Sequence, residues 1–521
     1  MAQFTASNLT SGFIDLATYD ELEKYMYGGL DATAYFVRQT RRATWFTQVP
    51  VALSRASGTP GFGQDWSVTI SRAGDYLLYT WLRVTVPRVV ALNGGSTFTN
   101  GQASRQITLE NGQKANHVAT LISWTPNFMH NLIREAAITF NDLVAARFDS
   151  FQLDFWSAFT TPAGKQIGYA NMIGQTTDLI EPSLELPQKT LNLPLPFFYS
   201  RDSGVALPTA ALPYNDMRIN FSFRNLNELL NAWDVYQVPG NADAFIYAPA
   251  RPAVVNSDVG QVDLTSSCFV WANYAIVSND ERKRMACAPR DILIEQVQTA
   301  PIQSFNPQNS SSYDIRFSHA IKVLFFAVQN YTVPSYWSNY TTREALPCAG
   351  SPSNHESLTL DGYFPGVDPI AETSLIYENT QRLANMGSDY FSLVEPYYAA
   401  PVIPNVCGYH MYSYSLDFIC LDPLGSTNYG KLTNVSIIPA ASQDAKCVSF
   451  SAPGEQTAAQ CAPNNWKRAQ QFRFVVTAVN NNIIRISGGR NPSVPPTVGC
   501  QNGSGNTILE KQCNLPPISC F

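Results

Sequence analysis

The sequence predicts an all-β protein with short connecting helices, arranged as two antiparallel β-sandwiches in tandem. Three observations carry that prediction. Apolar and polar residues alternate through many short segments divided by Gly, Pro, Asn and Ser. Helix-compatible spacing is confined to pieces between those segments, whereas a parallel α/β fold needs a helix after each strand. The pattern also restarts after a helix-like stretch near the middle of the 521-residue chain.

Length alone exceeds one ordinary core and fits two large domains or three modest ones. Charged residues make up 14% of the chain, against about 25% in an average soluble protein. With hydrophobic residues at 45% and aromatics at 12%, much of the surface must be uncharged or buried against a partner, as in obligate assemblies. The same apolar content excludes a disordered chain. The net charge of −6 argues against nucleic acid as a direct partner, because phosphate binding needs clustered Lys and Arg. The one basic cluster, Arg38, Arg41 and Arg42, reads as a solvated strand edge or a contact to an acidic neighbour or lipid headgroup. The opening MAQFTASNLTSGFIDL lacks a secretory pattern, and no run reaches about 18 apolar residues. The expectation is a chain made in the cytosol that stays soluble until it assembles.

Residues 1–30 read as an arm with a short helix. In GFIDLATYDELEKYMYGG, Thr18 can cap, Glu21 is its capping-box partner, and Gly28-Gly29 stops the helix. Phe13, Ile14, Leu16, Leu22, Tyr25 and Met26 give the arm an apolar side, while its charges are mostly acidic. Such an arm suits a neighbouring subunit or a membrane surface better than a genome.

Strand-like segments fill the rest. WSVTISRAGDYLLYTWLRVTVPRVV alternates on either side of a turn at Ala73-Gly74-Asp75. Glu135–Phe140 reads as strand and Phe148–Phe159 as helix; LNLPLPFF and MRINFSFR are strand-like again. NLNELLNAW (Asn225–Trp233) reads as a linking helix that ends a first domain of 31–228 and opens a second of 229–490. The second domain contains IKVLFFAV (Ile321–Val328), a continuous apolar run of strand length. Two faint echoes suggest duplication. SRAGDYLLYTWLRVTVP answers DIRFSHAIKVLFFAVQN, and LPFFYSRDSGVALP answers EPYYAAPVIPNVCGYHMYSYSL.

No catalytic or metal constellation emerges. The five histidines form no HExxH and no helical ligand pair, TPGFGQDW lacks a Walker Lys-Ser/Thr, and GxSxG is absent. The polar island YSRDSG (Tyr199–Gly204) could supply a serine nucleophile, but no base is indicated, and it reads as a hydrogen-bonded bend stiffened by flanking prolines. The carboxylates Asp149, Asp154, Asp361, Asp368, Glu372, Glu378 and Asp389 offer glycosidase-like pairs, none of them singled out. No cofactor is expected. All ten cysteines lie at or after Cys268, without CxxC. Cys447 and Cys461 flank a polar insertion (440–467), and Cys500, Cys513 and Cys520 sit in a tail (491–521). Free thiols are the cytosolic default, with late oxidation able to close the insertion and pin the tail. Sequons at Asn309, Asn330 and Asn339 are candidate glycosylation sites.

Long ordered stretches resemble one family. FIDLATYDELEKYMYGG, FNDLVAARFDSF, GYANMIGQTTDLIEP, LPLPFFYSRDSGVALPTAALPYNDMRINF, PRDILIEQVQTAP, DIRFSHAIKVLFF, YENTQRLANMGSDYFSLVEPYY and LDPLGSTNYGKLTNVSI are similar to major capsid proteins of large icosahedral double-stranded DNA viruses, iridoviruses above all. The resemblance implies two tandem eight-stranded jelly rolls and a homotrimer of pseudo-hexagonal outline. It further implies capsomers that tile a virion shell over an internal membrane, with minor capsid proteins as partners. It also implies no enzymatic role and assembly in the host cytoplasm. The insertion and the cysteine-bearing tail depart from the family pattern. A glycan-binding attachment protein on the same sandwiches is the alternative, followed by a secreted carbohydrate-active enzyme.

Overall fold

A computed structural model describes residues 44–91, 114–212, 215–237, 262–264, 268–287, 290–343, 366–449 and 469–487, with shorter pieces elsewhere. Two units are distinguished, Met1–Trp45 and Phe46–Phe521. In the first, Phe13, Ile14 and Leu16 are exposed on a helical stretch; Leu22, Tyr25 and Met26 lie outside the described residues.

The second unit holds both sandwiches. The first uses β1 (Phe46–Ala52), β2 (Asp65–Thr69), β3 (Tyr76–Val86), β4 (Ile133–Phe140), β5 (Leu143–Asp149), β6 (Lys189–Pro194), β7 (Met217–Phe223) and β8 (Cys268–Val277). One sheet runs β1-β8-β3-β6; the other runs β2-β7-β4-β5, extended by Ser54–Gly58 beside β2. Every pairing in these two sheets is antiparallel. The second uses β9 (Arg290–Thr299), β10 (Tyr313–Asp314), β11 (Ala320–Asn330), β12 (Ile370–Tyr377), β13 (Thr380–Gly387), β14 (His410–Ser413), β15 (Val435–Ala441) and β16 (Phe472–Ser487). Its sheets run β9-β16-β11-β14 and β10-β15-β12-β13. The order is the first sandwich repeated, strand for strand. Both are eight-stranded jelly rolls.

The repetition extends to the turns. The β4–β5 hairpin closes on Asn141 (φ 49°) and Asp142 (φ 67°), the β12–β13 hairpin on Glu378 (φ 46°) and Asn379 (φ 64°). Two consecutive positive φ values are the two-residue turn that matches strand twist. Consecutive strands of a roll run in opposite directions, so the β1–β2, β3–β4, β5–β6 and β7–β8 connections share one end. That end is elaborated: its β3–β4 and β7–β8 excursions pair into a further four-stranded sheet containing Lys114–Trp124 and Leu230–Gln237.

Strand pairing corrects the domain boundary. A capped turn does form at Leu226–Leu229, with Asn225 and Glu228 completing a capping box. It leads into Leu230–Gln237, an excursion of the first roll. Strand β8 then returns between β1 and β3, so the first roll closes at Val277 instead of residue 228. Helix α3 (Asn279–Cys287) carries the chain to β9. Asp75, in the β2–β3 turn, fixes it through Arg282 at 2.7 Å. The strand echo holds, since YLLYTWLRVTV is β3 and AIKVLFFAVQN is β11. The second echo does not: YSRDSG follows β6, whereas EPYYA precedes β14.

Each roll has its own core. Trp66, Ile138, Leu193 and Phe221 are among the buried residues of the first, Phe326, Val328, Ile437 and Phe474 of the second. A third cluster lies between the rolls.

Candidate functional site

The sequence after β5 breaks strand alternation with SFQLDFWSAFT, which forms α1 (Ser150–Thr160). Asp149 caps it by accepting the Gln152 amide hydrogen at 2.9 Å. Phe151, Phe155 and Phe159 recur at i, i+4 and i+8 and so share one helix face. That face covers the outer side of the second roll, against Val323, Phe325 and Ala327 of β11 and Val475 and Val479 of β16. Phe159 stacks on Phe325 with centroids 5.4 Å apart, and Trp156 meets Phe418 edge-on. Strand β11 is therefore buried on both faces, which is why IKVLFFAV is apolar without alternation. A second helix, α2 (Ala163–Ile173), follows and packs along β6.

Polar contacts fix the register of this seam. Arg201, the centre of YSRDSG, forms an ion pair with Glu295 of β9 at 2.8 Å, and Lys322 of β11 approaches the same carboxylate at 2.8 Å. The Arg201 guanidinium lies 3.6 Å from the Trp156 ring centroid, and burial pulls its pKa below the usual arginine range. Across the seam, Asp154 accepts from Ser338 at 2.7 Å and Tyr340 at 2.9 Å. It also meets His130 Nδ1 at 2.7 Å. Burial, then the Asp154 charge, raises the Tyr340 hydroxyl well above its ordinary pKa. The Trp337 indole N–H donates to the Glu228 carbonyl at 2.9 Å, with Arg224 over its ring at 3.8 Å.

YSRDSG is thus a bend with a structural task. It forms two short 3₁₀ turns, with Asp202 accepting the Ser203 amide hydrogen at 2.8 Å. Ser200 donates to the Phe197 carbonyl at 2.6 Å, and among the described residues none of these hydroxyls meets a histidine. The sequence identified the bend but not the ion pair that crosses to the second roll. Its one signal was an arginine set among prolines and aromatics.

One cluster does contain Ser, His and Asp together. His410 Nε2 meets Asp368 Oδ2 at 2.6 Å and Ser388 Oγ at 2.8 Å. Both contacts use one ring nitrogen of a buried imidazole, while Nδ1 has no partner among the described residues. A relay needs the base and its orienting carboxylate on opposite ring nitrogens, so this arrangement is a structural tie. Among the described residues, no group of three His, Cys, Asp or Glu side chains could hold a metal ion.

The remaining sequence candidates separate by exposure. Asn309 is exposed. Asn330 and Asn339 are buried, and their amides donate to the Arg343 carbonyl, at 3.0 Å in each case. Both amides are thus engaged inside the second roll, whereas the Asn309 side chain faces outward. Cys447 is buried and disulfide-bonded. Cys461, Cys513 and Cys520 lie outside the described residues, and Cys500 is described only as part of a short strand.

Two jelly rolls of one strand order, locked by an apolar seam, define a double jelly-roll protein. Comparison with known proteins gives the family. Residues 281–491 match "Large eukaryotic DNA virus major capsid protein" and residues 34–275 match "Major capsid protein N-terminus". The chain is 55% identical to the major capsid protein of Tipula iridescent virus over 498 residues, covering 94% of this chain and 98% of that one. It is 44% identical to that of Lymphocystis disease virus 1 over 494 residues, covering 94% and 98%. The fold is shared with the PBCV-1 virus capsid (TM-score 0.62, 20% identity, 90% of this chain and 100% of that one). It is shared too with the Faustovirus major capsid protein (TM-score 0.62, 10% identity, 89% and 94%). The chain belongs to the major capsid proteins of large eukaryotic DNA viruses, of the iridovirus type.

Proposed function

We propose that three copies of this capsid protein close into a capsomer of pseudo-hexagonal outline that tiles an icosahedral shell around an internal membrane. The carrying observation is the repeated strand order, β1-β8-β3-β6 and β9-β16-β11-β14. Two like wedges per chain give three chains six like corners, and closed rings are the rule for soluble homo-oligomers. The elaborated end of the rolls is read as the outer surface, and the opposite end, where the chain enters β1, as the inner one. Exposed Phe13, Ile14 and Leu16 (64%, 61% and 72% exposed) on the arm support docking on a membrane surface or a neighbouring subunit. With a net charge of −6, the shell makes no direct nucleic-acid contact, and minor capsid proteins bridge its capsomers. The cysteines beyond residue 440 act as clasps once particles leave the reducing cytoplasm where they assemble. The chain has no catalytic task in this scheme. Native mass spectrometry and negative-stain microscopy of the purified protein test it: a trimer with six-cornered particles is expected, and a stable monomer at micromolar concentration overturns it.

A further inference from the structure

The seam inside one chain has a counterpart on the same chain that is partly exposed. In the second roll, Val323, Phe325 and Ala327 are the fourth, sixth and eighth residues of β11, and the helix following β5 covers them. The fourth, sixth and eighth residues of β3 are Tyr79, Trp81 and Arg83, on the corresponding outer face of the first roll. Trp81 stacks on Trp271 of β8 with centroids 6.2 Å apart and planes 12° apart. Tyr79 and Phe269 beside them are 47% and 50% exposed. The helix equivalent to α1, following β13, consists of a π-helical turn, Tyr390–Val394, and α4 (Glu395–Ala399). It packs one side on β14 and leaves Leu393, Val394, Tyr397 and Tyr398 exposed by 51%, 42%, 70% and 80%. Their spacing, two i, i+4 pairs, makes them one apolar face.

We propose that Tyr390–Ala399 of one copy seats on the outer face of β3 and β8 in the next copy, repeating between chains the contact that α1 makes within one. A groove of about 1570 Å³ is present beside that face, bounded by Tyr79, Trp81, Trp156, Met172 and Ile292. The contact is head-to-tail: helix meets sheet, and the donor's own sheet stays free for a third copy. Alternating within-chain and between-chain contacts of the same kind close a ring of six rolls from three chains. The proposal rests on the trimer reading above and names its interface.

A photo-crosslinking benzoylphenylalanine in place of Tyr397 tests it, with mass-spectrometric mapping on a mixture of isotopically light and heavy chains. Mixed-isotope crosslinks to peptides of Tyr76–Val86 or Cys268–Val277, in covalent species no larger than a trimer, are expected. Crosslinks between two Tyr390–Ala399 segments, or to another surface, overturn the head-to-tail contact. A second variant, Tyr397→Asp with Tyr398→Asp, alters only exposed side chains. It is expected to keep its circular-dichroism melt while its trimer fraction at fixed concentration falls at least tenfold. An undiminished trimer fraction overturns the interface but leaves the trimer standing. A wild-type chain that is monomeric in native mass spectrometry removes the trimer and this interface together.

Discussion

The ring of Phe155, on the first roll's α1, lies parallel to Phe325 on the second roll's β11, with centroids 5.9 Å and planes 8° apart. Both rings are fully buried, yet they belong to different jelly rolls. The two rolls, each with its own core, are therefore joined by a shared hydrophobic cluster and are expected to unfold together.

Phe155→Ala is expected to cost about 3–5 kcal/mol, the range for emptying a buried aromatic site. Chemical denaturation followed by tryptophan fluorescence checks it. The variant should also show two transitions where the wild type shows one, because the deleted ring joins the rolls. A single transition at unchanged midpoint would mean that the seam contributes little.

Glu295→Gln leaves Arg201 and Lys322 facing a neutral amide in a buried site. Removing one partner of a buried ion pair costs about 3–5 kcal/mol. Arg201→Met is expected to cost less, since Glu295 retains Lys322 at 2.8 Å. Equilibrium unfolding of both variants checks the order, which reverses if Arg201 is the dominant partner.

Thiol reactivity should sort the described cysteines into three classes. Cys407 is exposed and should react with maleimide in the native protein. Cys268 is buried and burial pushes its thiol pKa up, so it should react only after denaturation. Cys447 is disulfide-bonded and should require denaturation plus reductant. Peptide mass spectrometry reads all three directly.

Acid should destabilise the second roll in two stages. Burial holds the His319 imidazole below its ordinary 6.5, so the unfolded chain binds that proton first and stability declines as pH falls below 6.5. Burial pushes the Asp368 carboxyl up, but the His410 charge and its hydrogen bonds outweigh it and leave the pKa below 3.8. The stability from Asp368 is therefore complete above that value and is lost as pH falls through the lowered one. His319→Asn, a residue that tolerates the φ of 65° at this position, should flatten the first stage and spare the second. Thermal melts across the pH range check both.

Local features were legible because their physics is local. The break in alternation at Phe148–Phe159 announced α1, and the unbroken IKVLFFAV announced a strand, whose burial on both faces only the packing of α1 explains. The boundary near residue 228 was misplaced because the Asn225–Glu228 capping box looks the same whether it opens an excursion or a new domain. Only the return of β8 to β1, Trp271 beside Ala52, separates the two, and alternation names no partner. The ion pair of Arg201 was not legible for the same reason: its glutamate, Glu295, lies in the other roll. Asn330 and Asn339 satisfied a sequon pattern that carries no information on burial.

The cover over β11 has a consequence for synthesis. Helix α1 precedes β11 in the chain, so on the ribosome the first half is complete before the apolar sheet of the second emerges. It can receive that sheet as it appears, shielding a surface that would otherwise invite sticking between nascent chains. A circularly permuted gene that makes the second half first should yield inclusion bodies where the native order yields soluble protein.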